Sequence, residues 1–201
     1  SHKVIKFNNL SSQSPYLIFK DRYDESLKAG QKNIEAICIS SYSKKLEEVN
    51  ARFVNLKFII DKEFIFFSNY KSVKSKDFLS HNQITGLFYW HTTDTQIRIK
   101  ANIKKTTKDF NETYFAKRDM HKNALAISSY QSKQIKSYEE VEKNYKRSLE
   151  SDDLNVCPDH WGGFAFVPYY FEFWQGHKSR LNKREVYELK NNEWKNYFLQ
   201  P

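Results

Sequence analysis

Glycine, proline, cysteine and methionine are all scarce in this chain: 201 residues hold 5 Gly, 4 Pro, 2 Cys and 1 Met. The five glycines, Gly30, Gly86, Gly162, Gly163 and Gly176, spell neither GxGxxG nor GxxxxGK[ST]. That excludes the Rossmann fingerprint and the P-loop, both of which need glycine where backbone approaches phosphate. Cys38 and Cys157 are far apart and form no CxxC, so they read as reduced thiols of a cytosolic protein rather than a disulfide framework. No apolar run approaches the roughly 18 residues of a membrane helix, and the N-terminus carries no signal-peptide pattern. Ser1-His2 reads as a tag remnant. The histidines His2, His81, His91, His121, His160 and His177 make no HxxxH, HExxH or Cys/His cluster, so no metal site is expected. There is no GxSxG elbow for a serine hydrolase. The carboxylate pairs Glu47-Glu48 and Asp152-Asp153 sit in polar stretches that suit solvation better than catalysis.

What is present is aromatic and basic. Sixteen Phe, 13 Tyr and 4 Trp, within 39% hydrophobic residues, are core-forming stock that a disordered chain lacks. At this length roughly 70% of the unfolded surface can be buried, so stability needs no disulfide or metal. Lys and Arg exceed Asp and Glu by 33 to 24, a formal charge of +9. Such an excess suits a nucleic acid, an anionic membrane or a phosphorylated small ligand, or a merely solvated surface, since the lysines are scattered.

Ser14-Pro15 reads as N-cap and N1 of a helix whose Tyr16, Phe19, Tyr23 and Leu27 recur at helical spacing, with Gly30 at C′. Ile34–Ser40, Arg52–Ile60 and Phe64–Ser68 read as strands, the last two joined by a turn at Asp61-Lys62-Glu63. Ile84–His91 and Thr95–Lys105 form another strand pair. Helices follow at Lys108–Arg118 and Ser137–Ser151, the second opened by a Ser137/Glu140 capping box. The chain then returns to strands at Gly163–Val167, Tyr170–Gly176, Arg184–Leu189 and Glu193–Phe198, with Asn191-Asn192 as the last turn. About eight or nine strands around a helical insertion predict an α+β domain built on an antiparallel barrel.

Cations are set in or just after these strands. Arg52 and Lys57 bracket Phe53-Val54-Asn55-Leu56. Lys74 follows a strand that passes into a short helix, and Ser72 lies at that helix's N-terminus with donors suited to a phosphate. Gln96 is on a strand, Gln131-Ser132 on a loop, and Trp174 precedes Arg180 and Arg184. Cations, amides and an aromatic plane together suit a flat phosphorylated ring system; each cation taken alone equally marks an exposed sheet edge.

The order of these blocks is more specific than any one of them. Arg52-Phe-Val-Asn-Leu-Lys57, Phe66 to Lys74, Trp90 to Gln96, Tyr114-Phe-Ala-Lys-Arg118, Gln131-Ser132, Trp161-Gly-Gly163, Glu172-Phe-Trp-Gln-Gly176 and Arg180-Leu-Asn-Lys-Arg184 resemble, in sequence order, the pyridoxine (pyridoxamine) 5′-phosphate oxidase family. The resemblance runs from about Pro15 to Pro201. It implies a single FMN-binding split-barrel domain over 1–201, with peripheral helices and residues 1–13 as a flexible N-terminal arm. It also implies a cytoplasmic homodimer with FMN at the subunit interface, a small phosphorylated pyridine as substrate and O2 as acceptor, with neither nucleic acid nor membrane as partner. By position, Arg52, Ser72 and Lys74 would engage the FMN phosphate and ribityl end, and Phe67 and Ser68 would line the flavin. Gln96, Gln131, Ser132, Trp174 and Arg184 would complete that site from both subunits. Lys57, Tyr114, Arg118 and Lys122 would hold the substrate phosphate, with Arg180 and Asn182, the expected catalytic residues, at the pyridine ring. The implied reaction oxidises the C4′ alcohol or amine of pyridoxine or pyridoxamine 5′-phosphate to pyridoxal 5′-phosphate and releases H2O2.

Four positions depart from the family pattern. Val73 stands where an arginine is expected, Lys122 where a serine is, Thr95 precedes Gln96 in place of arginine, and Asn182-Lys183 replaces His-Asp. Asn182 and Lys122 keep open an oxidase of another substrate, similar to the phenazine-biosynthesis oxidases, or a non-catalytic binder of FMN or pyridoxal phosphate. An amide orients a ring through hydrogen bonds but cannot exchange a proton near pH 7 as imidazole does.

Overall fold

Alternation of buried and exposed residues along the strands builds a single continuous sheet in the computed structural model, which describes residues 3–201. Ser1 and His2 lie outside the described residues. In chain order the first elements are β1 (Lys6–Asn8), α1 (Ser14–Lys28), β2 (Ala36–Ser43), β3 (Glu48–Asn55), β4 (Phe58–Ile60) and β5 (Glu63–Asn69). Next come α2 (Val73–Ser80), β6 (Gln83–Trp90), β7 (Thr95–Lys105), α3 (Lys108–Ala116), α4 (Met120–Ser128) and α5 (Tyr138–Ser151). The chain closes with β8 (Trp161–Gln175), β9 (Lys183–Lys190) and β10 (Glu193–Leu199).

The strand order is β1-β4-β5-β8-β7-β6-β2-β3, with β9 and β10 branching from β8. β3 runs on into β4 through Leu56-Lys57, so the chain itself joins one end of this path to the strand next to its other end. At that corner Leu56 N donates to Glu35 O at 2.9 Å, and Lys57 N donates to Ile65 O at 2.8 Å. The run Arg52–Ile60 is therefore two strands, broken where the backbone trades one partner for the other.

β8 splits the sheet. One edge pairs along its length with β7, while the other pairs first with β5 and then with β9. Pro168 and a register shift opposite Lys100/Ala101 mark the change; proline donates no ladder bond, and the extra residue Tyr169 forms a bulge that bends the strand. Gly163–Val167 and Tyr170–Gly176 are thus one bent strand. The result is the expected α+β split barrel with peripheral helices.

Phe19 of α1, Phe64, Phe66, Phe88, Phe164, Phe166 and Phe171 are all fully buried in one cluster. Burying each such side chain contributes about 1.5–3 kcal/mol. The cap of α1 is Gln13, without a side-chain bond, so Ser14 and Pro15 occupy the first two helical positions instead of N-cap and N1. Gly30 at φ 81° ends the helix as expected. Ser137 Oγ accepts from Glu140 N at 3.4 Å to open α5, and Asn191 and Asn192, at φ 52° and 63°, form the tight β9–β10 turn.

Within residues 1–13, expected as a flexible arm, the structure holds residues 5–8 against the sheet. Lys6–Asn8 pairs in parallel with Phe58–Ile60, Ile5 is buried and its N–H donates to the Tyr23 hydroxyl at 2.9 Å.

Candidate functional site

Between β3, the end of β5, α2, α3, α4 and the loop after α4 lies a cavity of about 780 Å³. Arg52, Lys57, Phe67, Ser68, Lys74, Tyr114, Arg118, Lys122, Gln131 and Ser132 all line it. No carboxylate does, among the described residues.

Arg52 projects from β3 and is braced from behind. Its Nη1 donates to Ser41 Oγ at 2.8 Å and to Ile39 O at 3.2 Å, and Nη2 lies 3.9 Å from Asp77. Asp77, buried on α2, also accepts from Ser41 Oγ at 2.8 Å and Asn50 Nδ2 at 3.4 Å. Burial pulls Arg52 below the ordinary arginine range, with Asp77 opposing the shift.

Lys74 is only 9% exposed. Its Nζ donates to Gln131 Oε1 at 3.2 Å and to Ser72 Oγ at 3.5 Å, and Ser68 Oγ donates to the same Gln131 oxygen at 3.2 Å. Ser72 does not reach the cavity. It is wholly buried, and its hydroxyl accepts from Ser75 N as the cap of α2, so it supports Lys74 from beneath. Val73, 43% exposed, lines the cavity where a cation would otherwise stand; Lys71 and Lys76 do not line it.

Burial, reinforced by Arg52, lowers Lys74 to about 8. A bound phosphate would draw the proton back, so binding takes up a proton in the window above about pH 8. Affinity for a phosphorylated ligand is therefore expected to fall as pH rises from 8 toward 9.5, by up to about tenfold per unit. Lys74→Met should flatten that dependence in a fluorescence titration. Stability of the unliganded fold moves the other way: above about pH 8 folded Lys74 holds fewer protons than unfolded Lys74, so its contribution rises with pH.

A second set of cations shares the cavity. Lys57, at the β3–β4 corner, is lowered by burial and by its neighbours Lys122, Lys3 and Arg118, with Glu35 opposing. Arg118 lies 4.9 Å over the Trp161 ring and donates to Lys122 O at 3.0 Å and Asn123 Oδ1 at 3.2 Å. Parallel planes stand beside it, with Phe67 4.0 Å from Tyr114 and 4.9 Å from Trp161. Burial raises the Tyr114 hydroxyl, with Arg118 opposing, so it stays a neutral donor at physiological pH.

Gln96, Trp174, Arg180, Asn182 and Arg184 are elsewhere. Gln96 pairs with Trp174, and Trp174 with Arg184, so three residues from β7, β8 and β9 make one cross-strand row. Arg180 and Asn182 sit in the loop before β9. Arg180, at φ 63°, donates its N–H to His177 O at 2.9 Å, and Asn182 Oδ1 accepts from His177 N at 3.0 Å. One chain therefore carries the expected residues in two separate groups, a cavity and a row with its loop, and no member of the row or loop lines the cavity.

Sequence reasoning missed Asp77, which braces Arg52, and Trp161 as a cavity wall. Asp77 lies three residues from Lys74 on a short helix, where nothing signals that β2 and β3 pack behind it. Trp161 was visible only as the neighbour of two glycines. No group of His, Cys, Asp or Glu suited to a metal occurs among the described residues, and none of their helices is long and apolar enough to cross a membrane.

Known proteins match this arrangement at two levels. Residues 161–201, which hold Trp174, Arg184 and the loop between them, match the family model described as the pyridoxine 5′-phosphate oxidase C-terminal dimerisation region. A pyridoxine/pyridoxamine 5′-phosphate oxidase of Cytophaga hutchinsonii is 36% identical over 180 residues, covering 88% of this chain and 83% of the relative. One from Leptospira biflexa is 33% identical over 190 residues, covering 93% and 89%. Among solved structures, PhzG from Burkholderia lata, in complex with tetrahydrophenazine-1-carboxylic acid, superposes with a TM-score of 0.88 at 23% identity, covering 94% and 93% of the two chains. A pyridoxamine 5′-phosphate oxidase-related, FMN-binding protein of Nostoc punctiforme gives 0.77 at 10% identity, covering 94% and 99%. The solved structures share the split barrel; the sequence relatives, named as oxidases, go further. The chain belongs to the pyridoxine/pyridoxamine 5′-phosphate oxidase family.

Proposed function

We propose that this protein is an FMN-dependent oxidase of pyridoxamine or pyridoxine 5′-phosphate that works as a homodimer. The observation that carries the reading is one carboxylate-free cavity holding two sets of cations and a bank of parallel aromatic planes. The donor set fits FMN. A phosphate dianion needs several charge-assisted donors, and Arg52, Lys74, Ser68 and Gln131 converge for it; a flat ring suits the neighbouring planes. A volume of about 780 Å³ falls within the roughly 300–1,000 Å³ usual for small-ligand sites.

Arg52 and Lys74 hold the FMN phosphate, while Lys57, Tyr114, Arg118 and Lys122 hold the substrate phosphate. The row of Gln96, Trp174 and Arg184, with Arg180 and Asn182, closes over the cavity of the other subunit. The place of Trp174, Arg180, Asn182 and Arg184 in the matched dimerisation region supports that assignment. FMN held there would supply the redox chemistry, a two-electron acceptor for the substrate C4′ carbon that O2 would reoxidise. The chain's own part is to fix the substrate by its phosphate, lay the Arg180 guanidinium against its ring and exclude water. Asn182 contributes hydrogen bonds and no proton.

Lys122 and Asn182 favour one other reading, an oxidase of a different anionic ring. Reconstitution with FMN separates the two. Peroxide should appear with pyridoxamine 5′-phosphate and be nearly absent with unphosphorylated pyridoxamine. Bound flavin with no peroxide from the phosphorylated substrate would refute the proposed substrate and leave another ring or a non-catalytic binder.

A further inference from the structure

Behind the cross-strand row sits a carboxylate with no part in the proposed chemistry. Glu172 is 2% exposed and lies on the same face of β8 as Trp174, two residues away. It collects four hydrogen bonds. Arg184 Nε donates to Oε2 at 3.0 Å and Nη2 donates to Oε1 at 3.2 Å; Arg98 Nη2 donates to Oε1 at 2.6 Å, and the Tyr170 hydroxyl donates to Oε1 at 3.1 Å. Burial pushes the Glu172 carboxyl up, but the bonds from Arg184 and Arg98 together outweigh it and hold it below the usual carboxylate range.

The consequence falls on Arg184. Its side edge, Nε and Nη2, is taken by Glu172, and Nη1 donates to Gln200 O at 3.1 Å. Of the five N–H groups a guanidinium carries, one on each terminal nitrogen remains, a fork held in fixed orientation on the strand position paired with Trp174. The charge is also partitioned. Arg98 and Arg184 against Glu172 leave one net positive charge, so the guanidinium is presented without the repulsion two unscreened arginines would exert on each other.

We propose that Glu172 is a positioning residue that, braced by Arg98, orients the free fork of Arg184 for the bound cofactor. This rests on the reading of Arg184 as a cofactor-binding residue. A buried carboxylate kept only for fold stability would act on cofactor affinity independently of which cation stands at 184. A positioning carboxylate would not, because lysine has no fork to orient.

The test is a double-mutant cycle on the full-length protein, with Glu172→Gln, Arg184→Lys and the double variant titrated with FMN by flavin fluorescence quenching, and Tm recorded for each. Each single change is expected to weaken FMN binding about tenfold or more, and the double variant to be no weaker than Arg184→Lys alone. Effects that multiply would overturn the proposal while leaving the flavin reading intact. No FMN binding by the unaltered protein would remove both together. Should Glu172→Gln fail to fold, Glu172→Asp keeps the charge but withdraws it by one methylene, and the same non-additivity with Arg184→Lys is expected.

Discussion

Arg52→Ala is expected to purify without flavin, with FMN affinity reduced by about 10² or more. Two charge-assisted bonds from a guanidinium to a phosphate contribute about 1.5–3 kcal/mol each. The loss does not stop there. Asp77 is 4% exposed, and without Arg52 it keeps only Ser41 and Asn50 as partners. Its charge is then uncompensated beside the cavity, which costs stability and repels the incoming phosphate. Arg52→Lys should fall between the two, since an ammonium cannot serve Ser41, the Ile39 carbonyl and a phosphate at once. Flavin absorbance after purification, followed by titration with FMN, reads the effect; a fully yellow Arg52→Ala protein would mean that the phosphate is held elsewhere.

The second large effect concerns the wall of the cavity. Gly162→Ala would drive a Cβ into the Tyr70 hydroxyl and the Asn111 amide. Those groups have no room to yield. Tyr70 OH donates to Gly163 O at 2.8 Å, Asn111 Nδ2 donates to Tyr70 OH at 2.9 Å, and Gly163 N donates to Asn111 Oδ1 at 2.9 Å. Overpacking plus a broken buried hydrogen bond costs about 3 kcal/mol, a fall in Tm of roughly 6–12 °C for a domain of this size. Trp161, next in the chain, should shift with it, so residual flavin binding should weaken too. Gly30→Ala provides the contrast. Gly30 has open space around it but a φ of 81°, so only the backbone cost of about 1 kcal/mol is expected. Thermal melts of the two variants separate close approach from conformational freedom.

These two sites also show how unevenly the sequence discloses the molecule. The aromatic stripe of α1, the Ser137 cap of α5 and the Asn191-Asn192 turn are local signals, and each acts where it is written. β8 misled because Pro168 looks like a terminator, whereas a bulge absorbs it while the β7 edge continues. α4 escaped notice because its buried positions are Asn123 and Ala124, which leave no apolar stripe. Pairing of β1 with β4 depends on residues some fifty positions apart in the chain and has no local signature.

The site follows the same logic. The residues now lining the cavity were identified through the order of their blocks and their likeness to a family. Nothing short-range marked the roles of Asp77 or Glu172, because each acts by facing arginine side chains from other elements. The row of Gln96, Trp174 and Arg184 exists only once β7, β8 and β9 are in register. Its separation from the cavity then makes the second subunit a physical requirement of the reading.

That requirement can be measured by complementation. Arg52→Ala and Arg184→Ala, each defective alone in FMN binding, are co-expressed with different tags, and dimers carrying both tags are isolated. In such a dimer one composite site has lost both arginines and the other has kept both. The account predicts tight binding of one FMN per mixed dimer, which is about one quarter of all sites in an unfractionated random mixture. Mixed dimers with no tight site would contradict it, and would place Arg52 and Arg184 in the service of the same subunit's ligand or of none.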